Sequence, residues 1–432
     1  MKSVWLDTAE KPKFDPLDGD VQTDVLIVGG GLTGILCAHM LQAAGVDYVL
    51  VEADQICGGI TKNTTAKVTL QHGLIYDKIR RKYGLDSAKT YYTANHNALV
   101  RYRELCKKLD CQFEVRDAYV YSHTDPQELE AEVKAYHAMD VQAEFTEKTT
   151  LPFAVAGAVK VKEQGQIHPL EFLYKLAKGL NIRENTKLLQ FSPHCAQTDR
   201  GSIRFNKAIV VTHFPMLNKH GFYFLKLYQH RSYVLALKNA QQVDGMYIDA
   251  DMKGLSFRNY GDLLLLGGGS HRTGKQGGGY AELIDVAQRY YPKATVETRF
   301  ATQDCMSLDG IPYVGQYGKN TPDLFVATGY NKWGFTSAMA AAEILCDQVQ
   351  GKPNPYSELF SPARPILQPQ LAVNGIETTL NLLTPTVPRC PHLGCALKYN
   401  KQEHTWDCPC HGSRFTEDGK LIDNPATDDK QL

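Results

Sequence analysis

The sequence predicts an α/β protein of two or three domains, with a parallel-sheet domain at the N-terminal end and a small separate unit at the C-terminal end. The chain has 432 residues, which exceeds the roughly 100–200 residues of a typical domain. A buried-strand pattern at residues 24–28 runs into a glycine-rich turn and then an amphipathic segment. Far downstream, four of the 11 cysteines crowd between Cys390 and Cys410, a spacing that suggests a metal site.

The composition is ordinary for a globular protein and excludes one class of partner. Hydrophobic residues make up 43% of the chain and charged residues 22%, so the chain can bury a sizeable core. The 47 basic and 47 acidic residues balance, which leaves no net field to gather polyanions. We therefore expect no nucleic-acid partner.

The N-terminal residues 1–20 carry mixed charges and no apolar core of a signal peptide. No later apolar run approaches the roughly 18 residues that a membrane span requires. The sequence therefore predicts a cytoplasmic protein with no membrane span.

The glycine-rich turn has the spacing of a dinucleotide-binding site. Gly29, Gly31 and Gly34 supply a G-x-G-x-x-G motif between the strand and the helix, with Leu32 and Thr33 inside the turn. In such a motif the glycines allow a tight turn, close approach of the backbone to a pyrophosphate, and tight helix packing, while the helix N-terminus faces the phosphates. A glycine-rich turn without a ligand is the alternative interpretation.

A second apolar strand, at residues 48–51, ends at Glu52. An acid roughly 20 residues beyond the glycine motif binds ribose hydroxyls in Rossmann-like domains. Strand, turn, helix and acid together predict a Rossmann-like site. They do not choose between NAD and FAD, because both cofactors use this motif.

The loop after the second strand resembles a known family. Residues 58–73, Gly-Gly-Ile-Thr-Lys-Asn-Thr-Thr-Ala-Lys-Val-Thr-Leu-Gln-His-Gly, are similar to the corresponding loop in FAD-dependent oxidoreductases of the D-amino-acid oxidase, glycine oxidase and sarcosine oxidase superfamily. The resemblance implies FAD, with Thr61, Thr64, Thr65 and Lys67 against the flavin ring. Lys67 would donate a hydrogen bond there and is also a candidate catalytic residue.

A second resemblance to the same superfamily covers residues 309–315 and 324–336, and altogether the likeness spans most of residues 20–364. A strand there leads through glycines into a helix, whose positive N-terminal end would stabilise the anionic reduced flavin. The flavin-site residues implied here are Gly329, Lys332, Trp333, Gly334 and Thr336.

The same resemblance implies the domain organisation. The FAD-binding domain is expected from residues 1–75, 160–215 and 300–364, and an α+β substrate domain with a mixed sheet from residues 76–159 and 216–299. Substrate would then bind between the two domains, where ligand pockets commonly lie.

Amine oxidation by this superfamily needs a hydride aimed at flavin N5 and a clamp that orients the substrate. Arg258 is the candidate clamp, because its planar guanidinium group matches a carboxylate; an exposed strand arginine is equally consistent with the sequence. His271, followed by Arg272, is a candidate for the same pocket, although the glycines before it also fit a hairpin end.

The C-terminal cysteines pair with histidines in two boxes. Cys390 and His392 form the first, Cys408 and His411 the second, and residues 393–407 lie between them. This pattern resembles Rieske [2Fe–2S] proteins, in which the two cysteines hold one iron and the two histidines the other. A zinc site of two cysteines and two histidines is the structural alternative.

The Rieske resemblance further implies a disulfide between Cys395 and Cys410. Complete Rieske domains have several strands before the first box, but here only residues 376–383 are expected to form one. Residues 365–432 are therefore predicted to be a linker and a shortened all-β Rieske domain. Such a domain must lean on the flavoprotein body or on another subunit.

Together these patterns predict FAD-dependent oxidation of an amine or amino-acid-like substrate, with electrons passing from flavin to the cluster and on to an unknown acceptor. Histidine ligation raises the potential of such a cluster to about −150 to +300 mV, so this transfer runs downhill. An electron-transfer protein without a small substrate is the alternative, and polar groups converging in the pocket would favour the enzyme. A redox sensor that opens and closes the disulfide is a third possibility.

Overall fold

The computed structural model describes residues 2–218, 220–385 and 388–430. The strands in chain order are β1 (Val21–Val28), β2 (Tyr48–Val51), β3 (Lys67–Val68), β4 (Phe113–Ser122), β5 (Glu144–Thr146), β6 (Gly157–Ile167), β7 (Ile182–Arg183), β8 (Leu188–Ser192), β9 (Cys195–Thr198), β10 (Ser202–Val210), β11 (Leu227–Lys238), β12 (Met246–Asp249), β13 (Ser256–Tyr260), β14 (Leu263–Arg272), β15 (Thr295–Ser307), β16 (Tyr313–Gln316), β17 (Leu324–Thr328), β18 (Lys398–Asn400), β19 (Thr405–Asp407), β20 (Arg414–Thr416) and β21 (Leu421–Asp423).

The helices are α1 (Leu32–Ala43), α2 (Ile75–Tyr83), α3 (Leu85–Lys108), α4 (Pro126–Ala138), α5 (Pro169–Ala177), α6 (Tyr223–Lys226), α7 (Gly279–Tyr290), α8 (Gly334–Val349), α9 (Ser357–Phe360) and α10 (Pro369–Leu383). A single 3₁₀ turn spans Ile60–Asn63. Within the described ranges, no helix combines the length and the apolar composition needed to cross a membrane.

The first sheet carries the glycine motif. Its order is β16-β17-β10-β1-β2-β7, with the β8–β9 hairpin attached to β10. The central strand β1 pairs in parallel with β10 on one side and with β2 on the other. Residues 25–28 of β1 are all buried, as expected for a parallel strand covered on both faces. The glycine turn therefore sits at the carboxyl end of a central strand, the position predicted for a nucleotide.

The second sheet has the order β15-β11-β14-β13-β12-β4-β6-β3, with β5 paired to β6. The sheet is mixed, because β12 pairs in parallel with β4, whereas β12 with β13 and β4 with β6 pair antiparallel. The predicted α/β class with a second, mixed-sheet domain is confirmed. The residue limits of the domains stay predictions.

A third, small sheet follows the flavoprotein region. Strands β18, β19, β20 and β21 pair in sequence order, all antiparallel. The predicted all-β unit at the C-terminal end is therefore confirmed.

The strand predicted at residues 376–383 is wrong, because these residues belong to helix α10. Val373, Ile376, Leu380 and Leu383 recur at helical spacing, which places them on one face. That apolar face is exposed. The opposite face is polar and buried, and there Arg272 Nη1 donates to Asn374 Oδ1 over 2.9 Å. The prediction of a strand was based on the apolar residues near the end of this helix.

Candidate functional site

One cavity of about 760 Å³ lies between the first and second sheets. Its size falls within the roughly 300–1,000 Å³ of cofactor and small-ligand sites. The predicted cofactor residues that line it are Gly29, Gly31, Leu32, Thr33, Glu52, Thr61, Thr64, Thr65, Lys67, Gly329, Lys332, Trp333 and Gly334.

The glycine turn is shaped to receive a pyrophosphate. A Cβ at Gly34 would lie 1.9 Å from the carbonyl oxygen of Gly29, so only glycine allows this closure of helix on turn. Gly34 does not line the cavity itself but allows helix α1 to pack closely against the turn that does. Helix α1 begins after Gly31 with no side-chain cap from that residue and no acidic residue in its first turn, so no carboxylate competes with an anion for the helix N-terminus. Leu32 N donates to Thr61 Oγ1 over 3.2 Å, tying the turn to the next loop.

Glu52 lines the cavity beside the glycine turn. Its carboxylate accepts hydrogen bonds from Gly30 N over 2.7 Å and from Asp54 N over 3.1 Å. Burial raises the pKa of the Glu52 carboxyl. The carboxylate is fixed beside the glycine turn, as ribose recognition requires.

Lys67 reaches the cavity from the short strand β3. Its Nζ donates to the carbonyl oxygen of Tyr247 over 3.1 Å. Burial, assisted by the charge of Arg258, lowers the pKa of Lys67 to about 7. Lys67 can therefore both donate a hydrogen bond and exchange a proton near neutral pH.

The start of helix α8 meets the cavity through Trp333 and Gly334. Trp333 stacks on His72, with ring centroids 5.0 Å apart and an angle of 16° between the planes. Thr336 lies outside the cavity lining and holds this pair, since its Oγ1 is 2.9 Å from His72 Nε2. Burial lowers the pKa of His72 to about 3, so this ring is neutral at physiological pH.

Two of the three predicted catalytic residues do not line the cavity. Arg258 is 1% exposed, and its Nη1 donates to the carbonyl oxygens of Thr65, over 2.6 Å, and Ala66, over 3.0 Å. It thereby positions the loop that carries Lys67. His271 Nε2 lies 3.0 Å from the hydroxyl of Tyr233, in the contact between the second sheet and the C-terminal unit. Only Lys67 of this group reaches the cavity surface.

The sequence did not predict a group of polar residues that line the cavity near the second sheet. Asp304 and Ser270 line it together with Lys332, and Lys332 Nζ lies 3.3 Å from Ser270 Oγ. Alternation in β15 offered a signal, because Thr302, Asp304 and Met306 fall on one face of the strand. Nothing in the sequence alone says which face of that strand meets a ligand.

The cysteines of the two C-terminal boxes face one another. The pKa of the Cys390 thiol is lowered to about 7, chiefly by its hydrogen bond with Cys408, with further help from the backbone amide of His392 and the hydroxyl of Ser413. Amides and a hydroxyl directed at a sulfur favour its thiolate form, which is the form that binds metal.

The two histidines complete the donor set. The rings of His392 and His411 lie 5.0 Å apart and nearly perpendicular, at 86°. The Nδ1 atoms of both are buried without a hydrogen-bond partner among the described residues. Their Nε2 atoms are engaged, by Asn218 Oδ1 at 2.8 Å and by the carbonyl oxygen of Phe224 at 3.1 Å. Two thiols and two free, oriented Nδ1 atoms fit a Rieske [2Fe–2S] cluster.

Cys395 and Cys410 form a disulfide, with Cα atoms 6.7 Å apart, a span that such bonds allow. The bond joins the two loops that carry the ligand residues. The pairing implied by the Rieske resemblance is therefore present in the structure.

The C-terminal unit leans on the flavoprotein body, the first of the two arrangements expected. Gln229 Nε2 donates to the carbonyl oxygens of His411 and Asn424, both over 3.1 Å. Gln303 Nε2 donates to the carbonyl oxygen of Gly412 over 2.9 Å. Strands β11 and β15 thus hold the second box directly.

Strand β11 also faces the cavity. Tyr228 and Ser232 line the cavity, whereas Gln229 contacts His411 from the opposite face. Side chains alternate between faces along a strand. A single strand therefore separates the cavity from the cluster loops.

Comparison with known families agrees with both halves of this site. Residues 24–348 match the family model described as FAD dependent oxidoreductase. Residues 382–431 match the Rieske [2Fe-2S] domain.

Three individual proteins show the same relationship. The protein named "Putative Rieske 2Fe-2S iron-sulfur protein YhfW" of Bacillus subtilis (strain 168) is 33% identical in an alignment that covers 98% of this chain and 96% of that protein. An L-proline dehydrogenase from P. horikoshii superposes with a TM-score of 0.68 at 14% identity, covering 81% of this chain and 98% of the other. A glycine oxidase from Geobacillus kaustophilus superposes with a TM-score of 0.67 at 17% identity, covering 80% and 99%. The chain thus belongs to the FAD-dependent oxidoreductase family of amine and amino-acid oxidase type, with FAD and a C-terminal Rieske [2Fe–2S] cluster as its cofactors.

Proposed function

We propose that this enzyme oxidises a small amine or amino-acid-like substrate and that its flavin passes the electrons, within the same chain, to the Rieske cluster. The observation that carries the proposal is strand β11, which lines the cavity with Tyr228 and holds the cluster loop through Gln229. No subunit boundary has to be crossed between the two cofactor sites.

FAD held in the cavity would supply a hydride acceptor. The hydride from the substrate carbon would carry away two electrons and one proton, and loss of the N–H proton would complete the C=N bond of the imine. A Rieske cluster held by Cys390, His392, Cys408 and His411 would supply a one-electron centre, so the two electrons of each turnover would leave through it one after the other. The final acceptor is then a partner that also accepts single electrons. Lys67 and the start of α8 would hold the ring, and the stacked His72 and Trp333 would limit access of water.

The cavity supports a substrate-converting enzyme over the alternative of a relay without a small substrate. Asp304, Lys332 and Ser270 are polar groups that converge on it, where a relay would need only an apolar wall. Two solved structures with the same fold are named as acting on proline and glycine, and one as acting on glycerophosphate; the first two support an amine as the substrate class. Location in the cytoplasm stays a prediction from the sequence.

The test is an anaerobic titration of the protein holding both cofactors. Glycine, L-proline, sarcosine and putrescine are added in turn, with lactate as a control that lacks nitrogen, while flavin absorption and the EPR spectrum are followed. We expect at least one amine to bleach the flavin bands and then produce the rhombic signal of a reduced Rieske cluster. Bleaching without that signal would contradict transfer to the cluster, and bleaching by lactate alone would contradict the substrate class.

A further inference from the structure

Strands β11 and β15 form the wall of the cavity on the side of the second sheet. They are antiparallel, and their register pairs His230 with Asp304 and Ser232 with Thr302. Paired residues point to the same face, so the side chain of Asp304 lies on the cavity face beside Ser232 and Thr302, which also line it.

Asp304 is an exception among the inward-facing carboxylates of this protein. Glu132 accepts from two backbone amides, Asp309 is held by Arg364, and Asp407 pairs with Arg414. The carboxylate of Asp304 has no hydrogen bond to a described residue, and burial raises its pKa to about 6. Asp304 is partly exposed to the cavity, so its carboxylate can be reached by a donor that enters there.

The nearby cations do not satisfy this carboxylate. Lys332 and Arg231 lie close enough to lower its pKa in part. Arg231 is already bound to the carboxylate of Glu403, and Lys332 Nζ lies 3.3 Å from Ser270 Oγ. The position in front of Asp304 is therefore open to a donor that arrives through the cavity.

We propose that Asp304 binds the amino group of the substrate, so that the enzyme selects its substrate by a cationic amine. The inference rests on the function proposed above and names the group that would recognise the amine. Among the described residues, no arginine lines the cavity, so a substrate carboxylate would have only lysines to meet. A primary or secondary amine supplies both the positive charge and the N–H donors that Asp304 lacks.

The test uses two probes of equal shape that cannot be oxidised. tert-Butylammonium has no hydrogen on the carbon next to nitrogen, and pivalate replaces its ammonium group by a carboxylate. Each is titrated into the oxidised, FAD-loaded protein while the flavin absorption bands are followed. We expect saturable perturbation by tert-butylammonium, a Kd at least tenfold higher in Asp304→Asn, and an unchanged Kd in the control Asp125→Asn, which alters an exposed carboxylate outside the cavity that accepts from Gln127 N.

A second measurement separates binding from a structural role. If Asp304 is kept for a ligand, Asp304→Asn should raise the melting temperature of the ligand-free protein, because the raised pKa of Asp304 means that the folded protein disfavours its charge. The charged groups nearest to Asp304 are Lys332, which also lines the cavity, and Arg231, which lies on the opposite face of β11. The neighbouring His230 is neutral because burial lowers its pKa to about 3. Since the folded-state pKa of Asp304 is raised from 3.8 to about 6, the gain should be complete above pH 6 and absent below about pH 4.

An equal Kd for tert-butylammonium in Asp304→Asn and the unaltered protein would overturn the inference, as would saturable binding of pivalate alone. A lower melting temperature in Asp304→Asn would count against it too. Failure of the proposed function is distinguishable. In that case tert-butylammonium still binds through Asp304, yet no amine reduces the flavin.

Discussion

The flavin cavity lies between two large sheets, whereas the cluster loops rest on a sheet whose four strands have three residues each. The cavity is formed by strand ends and by a glycine turn embedded in the core of the body. The hydrophobic core of the small unit consists of four cysteines together with Leu397, Phe415 and Ala426. Its own apolar surface is too small to stabilise it alone.

A disulfide and a group of ion pairs stabilise the small unit in place of a large hydrophobic core. The disulfide ties the two ligand loops together. Arg414 lies at the centre of the unit and pairs with Asp407 and Asp423, each over 3.0 Å, and with Glu403 over 3.2 Å. From this difference we expect the effects of a substitution to be confined to one half of the molecule. Substitutions at the cluster ligands should leave FAD bound, and substitutions in the glycine turn should affect the whole FAD-binding domain.

The largest effect is expected at the cluster ligands. Cys408→Ser removes one of two thiolates and should abolish the cluster while FAD stays bound, because the glycine turn is untouched. Iron analysis, EPR and flavin absorption measure the two cofactors separately. Cys195→Ser, a change of a free cysteine in the β8–β9 region, should retain iron. Loss of FAD together with iron would contradict the independence of the two halves.

Gly34→Ala tests the contribution of the glycine turn to FAD binding. The new Cβ would lie 1.9 Å from the carbonyl oxygen of Gly29, so the turn must open and its amides must leave the pyrophosphate. We expect FAD affinity to fall by at least about a hundredfold, on the scale of a 3 kcal/mol core distortion. The matched control is Gly375→Ala in helix α10, where a Cβ meets nothing within 4 Å. Equal FAD content in the two variants would show that the turn tolerates a side chain.

The ion pairs of the small unit come next. Arg414→Leu leaves three carboxylates close together and partly buried, a change that costs about 3–5 kcal/mol. We expect the cluster to be lost at a lower temperature than in the unaltered protein, while the flavin is released at an unchanged one. Lys420→Gln removes an exposed pair with Asp418 and should have little effect. A shift of the flavin transition by Arg414→Leu would mean that the two halves unfold together.

The sequence predicted those parts of the two regions whose residues are close together in the chain. Gly29, Gly34 and Glu52 were predicted because strand, turn and acid are neighbours in sequence and their chemistry depends on backbone shape. The boxes around Cys390 and Cys408 are also local patterns. In both regions the site residues are separated by only a few positions, so their spacing in the sequence determines how they are arranged in space.

Arg258 and Asp304 show where this reasoning ends. Whether a strand residue meets a cavity depends on which face of the sheet the other domain covers, and that is decided by contacts far apart in the sequence. Arg258 has the right chemistry for a clamp but donates to the carbonyl oxygens of residues 65 and 66. Helix α10 illustrates a different limit, since its helical spacing was present but its buried face is polar, the reverse of the usual pattern.

The smallest expected effect lies where the two regions meet. Gln229 Nε2 donates to the carbonyl oxygens of His411 and Asn424, and its Oε1 lies 3.2 Å from His213 Nε2. Gln229→Leu leaves these groups without their partner, at a cost of about 1–3 kcal/mol for each one that water cannot reach. The second box should then sit less firmly on β11, and transfer from flavin to cluster should slow by roughly tenfold, which is about 1.4 kcal/mol.

Stopped-flow reduction of the flavin, followed by rapid-freeze EPR of the cluster, measures this step in Gln229→Leu. Gln242→Leu is the matched control, because Gln242 Nε2 donates to the carbonyl oxygen of Gly261 over 2.7 Å at an exposed position within the body. An unchanged rate of cluster reduction in Gln229→Leu, with both cofactors present, would mean that this contact does not set the distance between them. Cooperation between the halves would then depend on other contacts, such as Gln303 with Gly412.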